Sequence, residues 1–306
     1  MDFPSQPSPC QYIPASSFWG QAIWIKRDDL LHPTVSGNKF RKLKYPLLAL
    51  RERQREADRD GSQKITLTTM GGPWSNHLHA LAHAGALYGW PTHGLVRGPQ
   101  EMHTATLDDC RRLGMRIQTV TRDEYRDLRD IPDAWRRHVD TSDINHAWFP
   151  EGGSLPEALH GVAEVIAELP FFPDVVMVAC GTGATLAGLL AGMGGKGRVI
   201  GIAVLKNAGY LHQEIATLLQ QAGYPAYKNY TLITDAHHGG YGKAPAELKQ
   251  FCHDFSRELA IPIEPVYTGK LFFALKKMVQ ENAFGADERI VAVHTGGLQG
   301  ARGFTD

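Results

Sequence analysis

The chain has 306 residues, 32 of them basic and 32 acidic, so its formal net charge is zero. That balance excludes the field that gathers nucleic acid or an anionic membrane, and neither is expected as a partner. No apolar run approaches the thickness of a bilayer, and the polar, proline-rich start from Met1 to Gln11 does not read as a signal peptide, so a cytoplasmic protein is expected.

The extended stretch Ala22–Lys26 precedes a helical pattern that starts near Lys39 and carries charges through Arg59. Strand-like runs follow at Ile65–Thr69, His93–Val96, Met115–Val120 and His146–Phe149, separated by helical patterns such as Ala105–Leu113 and Arg122–His138. Further strands at Asp174–Ala179, Val199–Val204, Tyr230–Thr234 and Arg289–Val293 alternate with helices. Those helices are read at Leu155–Glu168, Ala184–Met193, Ala208–Ala222, Pro245–Leu259 and Leu271–Asn282. This rhythm predicts an α/β protein of two domains, each a mostly parallel twisted sheet flanked by helices. Residues 1–47 and 151–306 are expected to form the large domain, with 48–150 as a small domain inserted in it. Ligands of parallel sheets sit at the strands' carboxyl ends, where the glycine-rich loops of this chain fall.

Five stretches carry candidate chemistry. In Ser36-Gly37-Asn38-Lys39 a lysine stands between a flexible Gly-Asn pair and a basic helix start. It reads either as a solvated turn residue or as an amine presented to a carbonyl compound. The apolar run Val175–Cys180 passes through Gly181-Thr182-Gly183 into a helix of small residues. Unpaired N–H groups at such a start, with the hydroxyls of Thr182 and Thr185, suit a phosphate. A dinucleotide turn fits less well, because Leu186 stands where a glycine is needed and no acidic residue ends the next strand; a structural turn is the other reading. After the strand Ile65–Thr69, a Gly-Gly-Pro turn leads to Trp74-Ser75-Asn76-His77, where Ser75 and Asn76 fall at an N-cap and also face a ligand edge. Tyr241 and Tyr267 each lie in a glycine-containing loop, and the strand Ile290–Val293 ends in His294-Thr295-Gly296-Gly297.

The remaining chemistry-bearing residues point elsewhere. Cys10, Cys110, Cys180 and Cys252 lie far apart, which indicates neither a zinc site nor a disulfide framework. His79 and His83 share a helix face but lack the glutamate of a metalloprotease pattern, and no metal is expected.

In this order the stretches, with Lys26-Arg27-Asp28-Asp29 and Pro150-Glu151-Gly152-Gly153-Ser154, resemble one family over nearly the whole chain. It is the 1-aminocyclopropane-1-carboxylate deaminase and D-cysteine desulfhydrase group of fold-type II pyridoxal-phosphate enzymes. The resemblance implies pyridoxal 5'-phosphate as cofactor, a small amino acid as substrate and a homodimer. It assigns Lys39 as the Schiff-base lysine, Asn76 to the ring's phenolic oxygen, and Cys180, Gly181, Thr182, Gly183, Ala184 and Thr185 to the phosphate, with Thr295 at the pyridine nitrogen. Ser75, Tyr241 and Tyr267 become the catalytic side chains, and Trp74, His77 and Thr268 join them and Asn76 along the substrate. Ring-opening deaminases carry Glu after the second tyrosine and Leu in the last glycine motif; here Thr268 and Thr295 stand there, as in desulfhydrase-like members. The expected reaction is therefore α,β-elimination on D-cysteine, with ring opening, action on another small D-amino acid, or cofactor binding with little turnover as alternatives. The chain departs from the family at Trp74, where Gln is usual, at His79-Ala80, where an Arg-Gln pair is usual, and in a shortened loop from Arg97 to His103.

Overall fold

The computed structural model describes residues 6–35, 37–57, 65–140 and 145–304. Ser36 of the lysine motif and the expected helix end near Arg59 lie outside them. In chain order the elements are β1 (Cys10–Ile13), β2 (Ile23–Lys26), α1 (Gly37–Ala57), β3 (Thr66–Gly71), α2 (Asn76–Tyr88), β4 (Thr92–Arg97), α3 (Ala105–Arg112), β5 (Met115–Val120), α4 (Arg122–Asp130) and β6 (His146–Phe149). There follow α5 (Ala158–Ala167), β7 (Val175–Cys180), α6 (Ala184–Met193), β8 (Arg198–Ala203), α7 (Leu211–Gln221), β9 (Tyr230–Ile233), α8 (Ala246–Leu259), α9 (Thr268–Gln280) and β10 (Ile290–Val293). No helix among the described residues is long and apolar enough to cross a membrane.

Two sheets result. The larger has the order β1-β2-β10-β7-β8-β9, parallel except for β1, and the smaller has the order β5-β4-β3-β6, parallel throughout. Strands β7 and β10 are buried along their whole length, as apolar runs covered by helices on both faces must be. Each sheet has apolar clusters on its two faces.

Local chemistry explains the element bounds. Helix α4 opens on a capping box of Thr121 and Glu124 and stops at Asp130, short of the expected His138. Pro132 and the left-handed Asp133 break it, and a 3-10 turn at Ala134–His138 takes over. Strand β1 escapes the sequence pattern because it is a four-residue antiparallel edge, too short to show alternation. Helix α9 begins at Thr268, earlier than expected, because the buried Glu264 carboxylate accepts the N–H groups of Val266, Tyr267 and Thr268.

Helix α1 joins the two halves. Its Phe40, Leu43, Leu47 and Leu50 enter the core beneath the smaller sheet, whereas Arg41 faces the other way, towards β2 and α5. Arg41 grips Asp28 through Nε at 2.6 Å and Nη2 at 2.7 Å, and Glu168 through Nη1 at 2.9 Å and Nη2 at 2.8 Å. Lys26 Nζ closes the network on Glu168 at 2.6 Å and on the Ser8 carbonyl at 2.7 Å. Arg41 and Asp28 are almost wholly buried. Gly161 of α5 lets α1 come this close, since an added Cβ would strike the Arg41 carbonyl. A buried charge stripped of its partner is costly. Arg41→Leu should therefore lower the unfolding free energy by about 3–5 kcal/mol, read from urea denaturation.

Candidate active site

The glycine loops meet where the carboxyl ends of β3, β4 and β6 of one sheet face those of β7 and β8 of the other. They enclose a cavity of about 310 Å³. Lys39, Ser75, Asn76, His77, Cys180, Gly181, Thr182, Gly183, Thr185, Tyr241 and Tyr267 all line it, although they come from separate stretches of chain.

Lys39 occupies the first turn of α1, whose start is pressed onto the loop after β10. Gly37, with φ of +65°, makes that contact possible, because any side chain there would run into the Thr295 carbonyl. Burial pushes the Lys39 ammonium down from 10.5 to about 8, against the opposing pull of the Glu151 carboxylate. Lys42 lies one turn further on and is pushed well below its ordinary value by burial and by Lys39. Both amines reach the Gly152 carbonyl, Lys39 at 3.4 Å and Lys42 at 3.3 Å. A lysine lowered in this way carries a reactive lone pair near neutrality.

The loop after β7 is built for an anion. Gly183 takes φ of +81°, and helix α6 starts at Ala184 with its first N–H groups free of intrahelical partners. Thr185 Oγ1 accepts from the Asn38 amide at 3.0 Å, which leaves its own proton for a ligand. Thr182 Oγ1 lies 2.6 Å from Ser154 Oγ. Ala184 contributes the helix start rather than a lining side chain, and Cys180 is buried with its thiol pushed up to about 12.

At the start of α2, Ser75 Oγ caps the helix by accepting from the N–H groups of His77 and Leu78 at 3.2 and 3.3 Å, and its hydroxyl proton remains available. Two side chains here hold orphaned polar atoms. The Asn76 Oδ1 is buried without a partner, and its amide lies against Gly297, where a Cβ would collide with it. His77 is 1% exposed, and both ring nitrogens lack partners. Burial, with Lys39 and Lys42 nearby, holds His77 well below its ordinary value, so it is neutral. Buried unsatisfied groups converging on a cavity are the expected mark of a polar ligand.

On the opposite wall the rings of Tyr241 and Tyr267 meet edge to face, 6.1 Å apart. Burial raises both phenols; Tyr267 is held well above its ordinary value and Tyr241 is the easier to ionise. Each is anchored from α9 or the turn before it. Glu264 binds the Tyr267 N–H at 3.0 Å, and the fully buried Lys270 donates to the Gly240 carbonyl, just before Tyr241, at 2.8 Å.

Besides Ala184, three expected residues stand outside the lining. Thr268 is buried and hydrogen-bonded to Glu264 at 3.1 Å. The Trp74 indole packs against the Gly303 backbone, away from the cavity. Thr295 is buried, and its carbonyl accepts the Asn38 N–H at 3.2 Å. His79 Nε2 lies 3.4 Å from Asp109, and among the described residues no cluster of metal-ligating side chains is gathered.

The cavity also contains residues that motif reading passed over. Lys42 was signalled by its spacing from Lys39, which places both on one helix face. Arg97, Tyr125, Arg129, Glu151 and Tyr210 carry no such signal, since their meeting depends on how the sheets face each other. Glu151 accepts from Tyr125 Oη at 2.6 Å, and the Arg97 guanidinium lies over the Tyr125 ring at 5.5 Å.

The Lys39 environment is directly testable. In cofactor-free protein, labelling of Lys39 by an amine-reactive ester, followed by peptide mass spectrometry, should rise with pH and be half-maximal near 8.

Comparison with known proteins places this site. Residues 3–296 match the family model described as pyridoxal-phosphate dependent enzyme. A Pyrococcus furiosus protein provisionally named 1-aminocyclopropane-1-carboxylate deaminase is 28% identical, over 98% of this chain and 92% of its own. A D-cysteine desulfhydrase of Salmonella typhimurium is also 28% identical, over 97% and 93%. A solved structure of an ACC deaminase homologue superposes with a TM-score of 0.78 at 27% identity, covering 97% of this chain and 91% of that one. The cavity fits the cofactor these comparisons imply. Lys39 offers an amine whose proton is held less tightly than usual, the α6 start with Lys42 suits a phosphate, and the Asn76 amide, which can present oxygen or N–H, suits the ring's oxygen. The chain belongs to the pyridoxal-phosphate dependent enzymes of fold type II, a family of lyases, and pyridoxal phosphate is its cofactor.

Proposed function

We propose that the enzyme catalyses α,β-elimination on D-cysteine, giving pyruvate, hydrogen sulfide and ammonia. One observation carries this reading. Thr268 follows Tyr267, and the Glu264 carboxylate below it is engaged by the N–H groups of residues 266–268. The Tyr267 side of the cavity therefore offers no carboxylate to protonate the pyridine nitrogen, and a neutral ring suits removal of an acidic α-proton better than opening of a cyclopropane.

Bound pyridoxal phosphate supplies an electron sink for the charge that develops at the substrate's α-carbon. The side chains do the rest. The Ser75 hydroxyl and the N-terminus of α2 hold the substrate carboxylate, Ser75 having its proton free because its oxygen is already capping the helix. Lys39, lowered to about 8, takes the α-proton. The Cβ–S electron pair leaves with the sulfur as hydrosulfide, to which the phenols of Tyr241 and Tyr267, kept protonated by their raised values, offer hydrogen bonds. The enamine, once released, hydrolyses in water to pyruvate and ammonium.

A deaminase acting on 1-aminocyclopropane-1-carboxylate is the second reading, favoured by the name of the Pyrococcus relative. The two separate by product. Purified holoenzyme given D-cysteine, L-cysteine or the cyclopropane acid should yield pyruvate and sulfide from D-cysteine; 2-oxobutyrate from the cyclopropane acid would transfer the assignment to the deaminase. Lys39→Ala should lose the visible absorbance of the bound cofactor and at least about 10²–10⁴-fold in turnover. Lys270→Met, which frees the Tyr241 loop without touching the cavity, should keep the absorbance and lower kcat/KM by up to about 10²-fold.

A further inference from the structure

A second chamber, of about 620 Å³, lies directly beside the catalytic cavity and is twice its size. The two share Arg129, Glu151, Thr182 and Tyr210 as a common wall. The smaller cavity is at the low end for a small-ligand site, and the cofactor with a cysteine-sized substrate accounts for it. The larger chamber is then superfluous to cysteine. It lies against the smallest of the four apolar clusters, built from Met70, Leu95, Val120, Tyr125, Leu128 and Trp135, of which Met70, Leu128 and Trp135 line it.

The chamber's chemistry indicates what enters it. Its floor is apolar: Met70 and Leu128 are buried, and Trp135 and Trp148 stack 5.7 Å apart with their planes 3° from parallel. At its rim Ile131 is 42% exposed, an apolar side chain left facing solvent. The charges on the shared wall already have partners. Tyr125 Oη donates to Glu151 at 2.6 Å, and Arg129 Nε pairs with Asp130 at 2.9 Å. Neither of these charges on the common wall is left calling for a charged ligand, and the stacked indoles offer a flat surface on which another ring packs.

Resting on the reading of the cavity as an amino-acid elimination site, we propose that this chamber is a side-chain subsite. It receives a bulky apolar or aromatic group carried on the sulfur of the substrate, so the substrate class extends from D-cysteine to S-substituted D-cysteines. Elimination then removes the α-proton and breaks the Cβ–S bond with its electron pair going to the departing thiolate, which takes a proton in place of hydrosulfide. The enamine left behind hydrolyses to pyruvate and ammonium as before.

Calorimetric titration of the holoenzyme with S-benzyl-D-cysteine and with S-methyl-D-cysteine tests the subsite apart from turnover. The benzyl compound should bind at least about 10-fold more tightly, since burying most of a phenyl ring is worth that much or more. Trp148→Ala, and Ile131→Asp as an exposed change that leaves the core intact, should each bring the ratio of the two affinities towards one. Equal or weaker binding of the benzyl compound by the wild type overturns the proposal, as does a benzyl preference that both variants retain. If no compound yields a keto acid while the affinity ratio and its loss in the variants hold, the elimination reading fails and the subsite stands.

Discussion

The buried grip of Arg41 on Asp28 and Glu168 is the constraint on which this architecture rests. One guanidinium fixes β2, α1 and the end of α5 to each other, with Lys26 and Ser8 completing its charge and hydrogen-bond balance. Arg41 lies two residues from Lys39, so the group that secures the helix also sets where the reactive amine stands. The opposite face of the same helix belongs to the core of the smaller sheet. A shift of either sheet against the other would move α1, and the cavity's chemistry with it. This couples stability to function more tightly than a loop-borne lysine would.

Electrostatics in the cavity follows the same economy. Two neighbouring lysines, a neutral buried histidine and two raised phenols would be expensive in a mere core. Their cost is explained by a ligand that brings a phosphate, an aldehyde and an aromatic ring among them and meets the orphaned atoms of His77 and Asn76. Beneath the tyrosines, Glu264 and Lys270 do no chemistry on a ligand; they turn backbone carbonyls and N–H groups into fixed supports for Tyr267 and Tyr241.

Much of the fold was legible because its strands are apolar, β-rich runs ending in glycine turns, and such runs leave little choice but a covered parallel sheet. The glycine-rich anion loop and the lysine motif were readable for the same reason: their chemistry depends on neighbours in sequence. What could not be read depends on neighbours in space. Nothing in the stretch around Glu151 announces that Tyr125 will donate to it, nor does Ile131 reveal that it borders a chamber. Thr268 has a tie of the same kind: its position after Tyr267 does not announce that a helix start needing its N–H groups satisfied draws it to Glu264.

The shared Gly152 carbonyl has a consequence for how the site exchanges partners. A carbonyl oxygen has two lone pairs, and here they serve two amines from one helix face. When Lys39 turns to a ligand, Lys42 has one N–H for a phosphate and another for this carbonyl, so the segment returning from β6 stays tied to α1. Recruitment of the reactive lysine therefore leaves the strap between the two halves fastened, and the cavity can change hands without coming apart.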